Sequence, residues 1–197
     1  MYNNITNGTR FLLLFILVAV TAGCGGATIK YINPSANLSY IKKVAILPFN
    51  NFSEDKYAGE KTRSALTIDL MSRHVFDVME QGEVSKVTGM IFREEGFEEG
   101  RAVQMDKEMV KMLGEKLGVQ AVMLGSVNEY SGSKGGVSNN VVSVSIRMID
   151  TSSGIILWQA NTTEVGNSTF RKMLGIDQVE MSILTRDAVR RAVSTLL

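Results

Sequence analysis

Between Val141 and Ile149, the apolar side chains of Val142, Val144, Ile146 and Met148 alternate with Ser143, Ser145 and Arg147. A period of two marks a strand with one face in a core and the other in water. The chain must therefore build a sheet. The neighbouring segments widen it. Ala121 to Tyr130 is a strand that is apolar first and polar last, separated from the next by a Ser/Gly/Lys/Asn stretch from Ser131 to Asn140. Asp150-Thr151-Ser152-Ser153-Gly154 has turn composition, with glycine where a positive φ is cheap, and Ile155 to Thr162 returns as the second arm of a hairpin.

The earlier part alternates helix and strand. Val44 to Phe49 is a short, almost wholly apolar run, as expected of an inner strand covered on both faces. Gly59 to His74 is expected to be a helix with Ala65, Leu66 and Leu70 on its apolar side. Phe76 to Glu80 alternates like a half-buried strand, and Glu83 to Met90 reads as a short helix. A better helix runs from Asp106 to Leu117, capped by Asp106, lined by Met109, Val110, Leu113 and Leu117, and ended by Gly118. The segment between these two helices reads as loop or frayed helix. Its near-repeat, Phe92-Arg93-Glu94-Glu95-Gly96-Phe97-Glu98-Glu99-Gly100-Arg101, gathers four carboxylates as a cation or partner site would, yet it lacks the alternating oxygen ligands of a calcium loop and is expected to be solvated, with Phe92 and Phe97 tucked against the domain.

A final helix is expected from about Asp177 to Leu197, with Met181, Leu184, Ala188, Ala192 and Leu196 as its main stripe and Val189 alongside. Ile183, Val193 and Leu197 lie roughly opposite that stripe. One buried side does not hide them all, so either the helix frays or is buried more deeply, or these three meet another subunit or another envelope protein; on the last reading Val193→Glu is expected to spare the fold while changing assembly. The expected fold is α/β: a single-domain sandwich with a mixed sheet, parallel first and antiparallel later, in the order β-α-β-α-α-β-β-β-α.

The only cysteine, Cys24, ends an apolar run that begins at Phe11 and follows Arg10. That run is too short for a spanning helix and has the layout of a secretory signal segment, with small residues at Ala22 and Gly23. An exported chain with one cysteine has no internal disulfide partner, and Gly25-Gly26-Ala27-Thr28 cannot build a core around a thiol. The remaining alternative is an intermolecular disulfide. The stretch resembles the lipobox of bacterial lipoproteins, which implies cleavage before Cys24 and acylation of its thiol and new amino group. Thr21 departs from the usual leucine of that pattern. Gly25 is not the aspartate that resembles an inner-membrane retention signal, so the outer membrane, at its periplasmic face, is the expected destination.

These readings divide the chain into a signal peptide over 1–23, a lipidated cysteine and tether over 24–40, and the α/β domain over 41–197. Loss of the signal peptide removes Arg10 from 21 basic residues, leaving 20 against 20 acidic ones. A neutral domain has no electrostatic footprint for nucleic acid or for anionic lipid. His74 is the sole histidine, at a helix end, and is expected to cap that helix. No nucleophile motif, phosphate cradle or metal-ligand spacing is recognisable, so no catalytic residue, metal or cofactor is expected.

Three blocks carry a further resemblance: Val44 to Phe49 with its following Asn, Leu117 to Val127, and Val144 to Trp158. In them the chain resembles the CsgG family of curli-secretion lipoproteins and its structural relatives, the TolB amino-terminal domain, the flagellar lipoprotein FlgO and the penicillin-binding-protein activator LpoB. The resemblance implies a lipid-anchored, non-enzymatic assembly or regulatory component of an envelope machine in secretion, flagella or cell-wall synthesis. A CsgG-like secretion-channel subunit, forming a homo-oligomer, is the first alternative. A binding protein or hydrolase for cell-wall fragments is the second. A membrane strand needs about 9 to 11 residues with a continuous lipid-facing row. The only candidates, Ser126 to Tyr130 and Val141 to Met148, are already used by the expected sheet.

Overall fold

The computed structural model describes residues 27–96, 105–132, 140–166 and 179–196. Its strands are β1 (Ala27–Ile32), β2 (Lys43–Ile46), β3 (Asn50–Asn51), β4 (Asp77–Val78), β5 (Ala121–Ser131), β6 (Val141–Asp150) and β7 (Ile156–Val165). Its helices are α1 (Ala58–Arg73), α2 (Gln81–Glu94), α3 (Lys107–Leu117) and α4 (Met181–Val193). The strands form one sheet in the order β1-β7-β6-β5-β2-β4, with β3 extending the pairing beside β5. Pairing is parallel among β4, β2, β5 and β3, and antiparallel from β5 through β6 and β7 to β1. The α/β class and the mixed sheet are as expected from the sequence.

Two hydrophobic layers hold the helices. On one face, Val44, Ile46, Met123, Val144, Ile146, Met148 and Trp158 pack against Leu66 and Leu70 of α1 and Leu184, Ala188, Val189 and Ala192 of α4. On the other, Ala45, Leu47, Val122 and Ile149 meet Val84 and Ile91 of α2 and Val110, Leu113 and Leu117 of α3. Strand β2 is thus covered on both sides, which is why its run lacks alternation. The second layer reaches only part of the sheet.

Local signals hold at most element ends. The Asp106 carboxylate accepts from the Met109 N–H at 2.8 Å, so α3 starts where its cap says. Gly118 is the left-handed C-cap of α3. At the end of α1, His74 is the C-cap at φ 55°, with its Nδ1 3.0 Å from the Ser72 carbonyl oxygen. Gly154 turns β6 into β7 at φ 72°. Gly125 serves close approach instead: a Cβ there would lie 2.1 Å from Cζ of Phe49, whose ring lies across that point of β5.

Several boundaries differ from expectation. Helix α2 runs on to Glu94 because Ile91 is fully buried against β2 and β5, so its last turn has a core to hold it. Phe92 lies within that helix and is partly buried against the same cluster; Phe97 lies outside the described residues. The segment read as tether is corrected more strongly. Ala27 to Ile32 pairs with β7 along its whole length, from Ala27 opposite Thr163 to Ile32 opposite Trp158. Unsatisfied edge groups of β7 draw the segment in, and Thr28-Ile29-Lys30-Tyr31-Ile32 has the β-branched and aromatic content to answer.

Candidate interaction surfaces

Open α/β sheets hold ligands outside the carboxyl ends of parallel strands, where successive connections leave on opposite faces. Here α1 follows β2 onto one face and α2 follows β4 onto the other, so the crevice falls beyond β2 and β4. Arg63 of α1 fills it. Its Nε and Nη2 donate to the Ile46 carbonyl oxygen at 3.0 and 2.7 Å, Nη2 also to the Gln81 carbonyl at 3.1 Å, and Nη1 to Ser85 Oγ at 2.8 Å. The side chain is buried, and that burial pulls its pKa below the ordinary arginine value against the opposing charges of Glu60 and Glu80.

The anion site that α2 would offer there is also taken. Glu80 accepts from the N–H groups of Gly82 and Glu83, both at 2.8 Å, and these two bonds hold its carboxyl below the usual range. No group of three or more potential metal ligands occurs among the described residues. The place where this architecture does pocket chemistry is therefore occupied by the protein's own side chains.

Surface is more plentiful than pocket. Beyond the reach of α2 and α3, no described helix lies over the face of β5, β6, β7 and β1 that carries Ser126, Ser143, Ser145, Arg147, Gln159, Asn161 and Thr163. Register aligns these in rows: Ser126, Ser145, Asn161 and Ile29 in one, Leu124, Arg147, Gln159 and Tyr31 in the next. Hydrogen bonds already tie the face together. Asn128 Nδ2 donates to Ser145 Oγ at 2.7 Å, Ser126 Oγ donates to Asn128 Oδ1 at 3.0 Å, and the hydroxyls of Ser143 and Thr163 are 2.9 Å apart. The wet side of the alternating strand is thus a preorganised polar plate.

The partner face expected on the last helix is not assembled. Val193 is fully buried in the protomer's own core, because α4 is wedged between the sheet and α1 and is covered over two arcs. Ile183 is 36% exposed, and its surface neighbours Ser182, Arg186 and Arg190 are polar or basic. Leu197 and Cys24 lie outside the described residues. Exposed large apolar side chains on a helix occur at Ile68 and Met71 of α1, beside Val75. Their spacing of three places them together on the outer side, a signal present in the sequence and overlooked there.

Two buried carboxylates complete the polar inventory. Glu164 of β7 pairs with Arg191 Nε at 2.6 Å, at the floor of an open cleft of about 350 Å³ that Asp187, Arg190 and Ser194 also line. Asp150 staples the β6–β7 turn: its Oδ2 accepts from Ser152 Oγ at 2.7 Å and Ser153 N–H at 2.9 Å, and from Ser153 Oγ. Burial raises its pKa, but the bonds from Ser153 and Ser152, with the Tyr40 hydroxyl, outweigh this and hold it at about 2. Tyr40 is pushed up to about 12, by burial first and then by Asp150.

Known proteins bear on this arrangement. The fold is similar to that of PelC from Paraburkholderia phytofirmans, solved as a dodecamer, with 20% identity and a TM-score of 0.60 over 87% of this chain and 97% of that one. Lipoprotein GNA1162 from Neisseria meningitidis is 23% identical, with a TM-score of 0.48 over 68% of this chain and 90% of that one. The LpoB C-terminal domain from Escherichia coli is 11% identical, with a TM-score of 0.45 over 66% and 87%. No curated protein sequence matches. The bacterial lipoprotein grouping drawn from the strand motifs stands, with the GNA1162-like family rather than CsgG or TolB as the one that matches. Residues 37–196 fit the family described as "Putative lipoprotein GNA1162-like", and since they make up most of the sequence, the chain belongs to that family.

Proposed function

We propose that this protein is a non-enzymatic lipoprotein, acylated at Cys24 and held at the periplasmic face of the outer membrane, that serves as an assembly or regulatory component of an envelope machine. The observation that carries this reading is the filled crevice beyond β2: Arg63 and Glu80 occupy the ligand position of the fold, leaving outer surfaces to do the work. The polar plate of β5, β6 and β7 and the Ile68–Met71 patch are the two surfaces on offer. A protein partner is the occupant that surfaces of this breadth fit.

Self-assembly is a second reading, and the dodecameric PelC, with nearly its whole chain matched in fold, favours it. A CsgG-like channel subunit would need a lipid-facing hairpin; among the described residues, the two candidate strands β5 and β6 are paired to one another and held between β2 and β7 in the sheet.

The test uses natively lipidated protein extracted from envelopes in mild detergent. Mass spectrometry is expected to show an acylated Cys24 amino terminus, and sedimentation to give an oligomer or a defined complex that photocrosslinks from Ser145 or Ile68. A lipidated monomer that crosslinks from neither position defeats the assembly reading. Turnover of cell-wall fragments defeats the non-enzymatic one.

A further inference from the structure

We infer that the edge strand β1 lies against the phospholipid surface, with Ile29 and Tyr31 in the headgroup layer and Lys30 beside its phosphates, so that the domain is docked on the bilayer rather than suspended from it. The inference rests on acylation of Cys24, and what carries it is length. A tether over 24–40 would span about 55 Å if extended, more than a domain diameter. Pairing of β1 from Ala27 onward leaves only residues 24–26 between the acylated position and the folded sheet. Their greatest reach is about 10 Å. A domain of this size has a radius of gyration of roughly 16 Å, so a leash that short cannot hold it clear of the membrane.

The surface that the leash brings down suits that contact. Ile29 is 74% exposed and Tyr31 50% exposed, on the same face of β1, and Val165 at 46% lies on that face of the adjoining β7. Lys30 is exposed on the opposite face. An aliphatic side chain, a tyrosine and a lysine at the end of a lipid leash match the interfacial layer, where amphipathic rings sit at headgroup depth and ammonium groups meet phosphate. A second copy pairing along β1 is the competing occupant. An exposed lysine in the middle of an edge strand works against such pairing.

The experiment takes the natively lipidated protein with Ile29→Cys, in which the new thiol is the only one left to label once Cys24 is acylated. The thiol carries an environment-sensitive fluorophore, and the protein is reconstituted into phosphatidylethanolamine–phosphatidylglycerol vesicles with or without brominated acyl chains. Asp77→Cys, exposed in β4 at the opposite edge of the sheet from β1, is the control, and circular dichroism verifies both folds. The Ile29 label is expected to shift to the blue on vesicles and lose emission to bromine, with the Asp77 label unchanged. If the protein is acylated and floats with vesicles, yet the two labels respond alike, the docking inference fails while the anchor stands. If mass spectrometry shows a free Cys24 thiol, the anchor reading fails and the docking falls with it. A shift at Ile29 that appears in detergent and grows with protein concentration assigns the edge to a second copy and overturns the lipid contact.

Discussion

The Arg63 guanidinium and the Ile46 carbonyl oxygen share two hydrogen bonds, of 3.0 and 2.7 Å, across the carboxyl end of β2. With the further bonds to Gln81 and Ser85, one buried side chain joins α1, the sheet and α2, elements that otherwise belong to separate layers. Arg63→Met keeps most of the volume but leaves two carbonyl oxygens without these donors. The expected loss is about 3 kcal/mol, or roughly 10 °C in melting temperature. Arg63→Lys is expected to recover only part, since an ammonium lacks the planar fork. Thermal unfolding by circular dichroism reads both, and a fully stable lysine variant would count against the fork.

Gly125 and Phe49 form a tighter contact than any side chain could tolerate. Gly125→Ala drives a methyl into the ring and is expected to cost about 1–3 kcal/mol in urea unfolding. The double variant Gly125→Ala/Phe49→Leu should recover at least about 1 kcal/mol relative to the sum of the single changes. Strict additivity would mean that the ring moves aside freely.

Acid should weaken the β6–β7 turn. Asp150 is held at about 2 in the folded chain, below its ordinary 3.8, so its ionised form stabilises the fold above pH 4 and that contribution fades as the pH falls from about 4 through about 2. The difference in unfolding free energy between the wild type and Asp150→Asn is expected to be at most about 2 kcal/mol at neutral pH and to shrink over that window. A difference independent of pH between 6 and 2 would refute the assignment.

Val193 and Ile183 separate by burial, although both were expected to face a partner. Val193→Glu places a carboxylate where the side chain has no exposure, and the expected result is loss of about 3–5 kcal/mol and of the sharp thermal transition. Ile183→Glu should change stability by less than about 0.5 kcal/mol. Val193→Glu protein that stays fully folded would require α4 to be packed differently.

The central strands were legible because burial on one face writes a period of two: Val142, Val144, Ile146 and Met148 all reach the core, and Ser143, Ser145 and Arg147 all meet the wet face. Asp106 and Gly154 were legible because a cap and a turn are satisfied within a few residues. Ile91 and Val193 were misread for one reason: a helix sequence displays its apolar side chains but not how many neighbours will cover them. Arg63 left no trace at all. An arginine on a helix is ordinarily a solvated charge, and only the convergence of Ile46, Gln81 and Ser85 makes this one a clamp.

By itself, then, the sequence determined what short-range chemistry can enforce: the alternating strands, the helix caps and the turn at Asp150–Gly154. Only the tertiary structure decided that residues 27–32 join the sheet, that the crevice beyond β2 is filled and that α4 is covered on two sides. Each of these depends on groups far apart in the chain satisfying one another's hydrogen bonds or apolar surface, and local periodicity does not specify which distant partner answers.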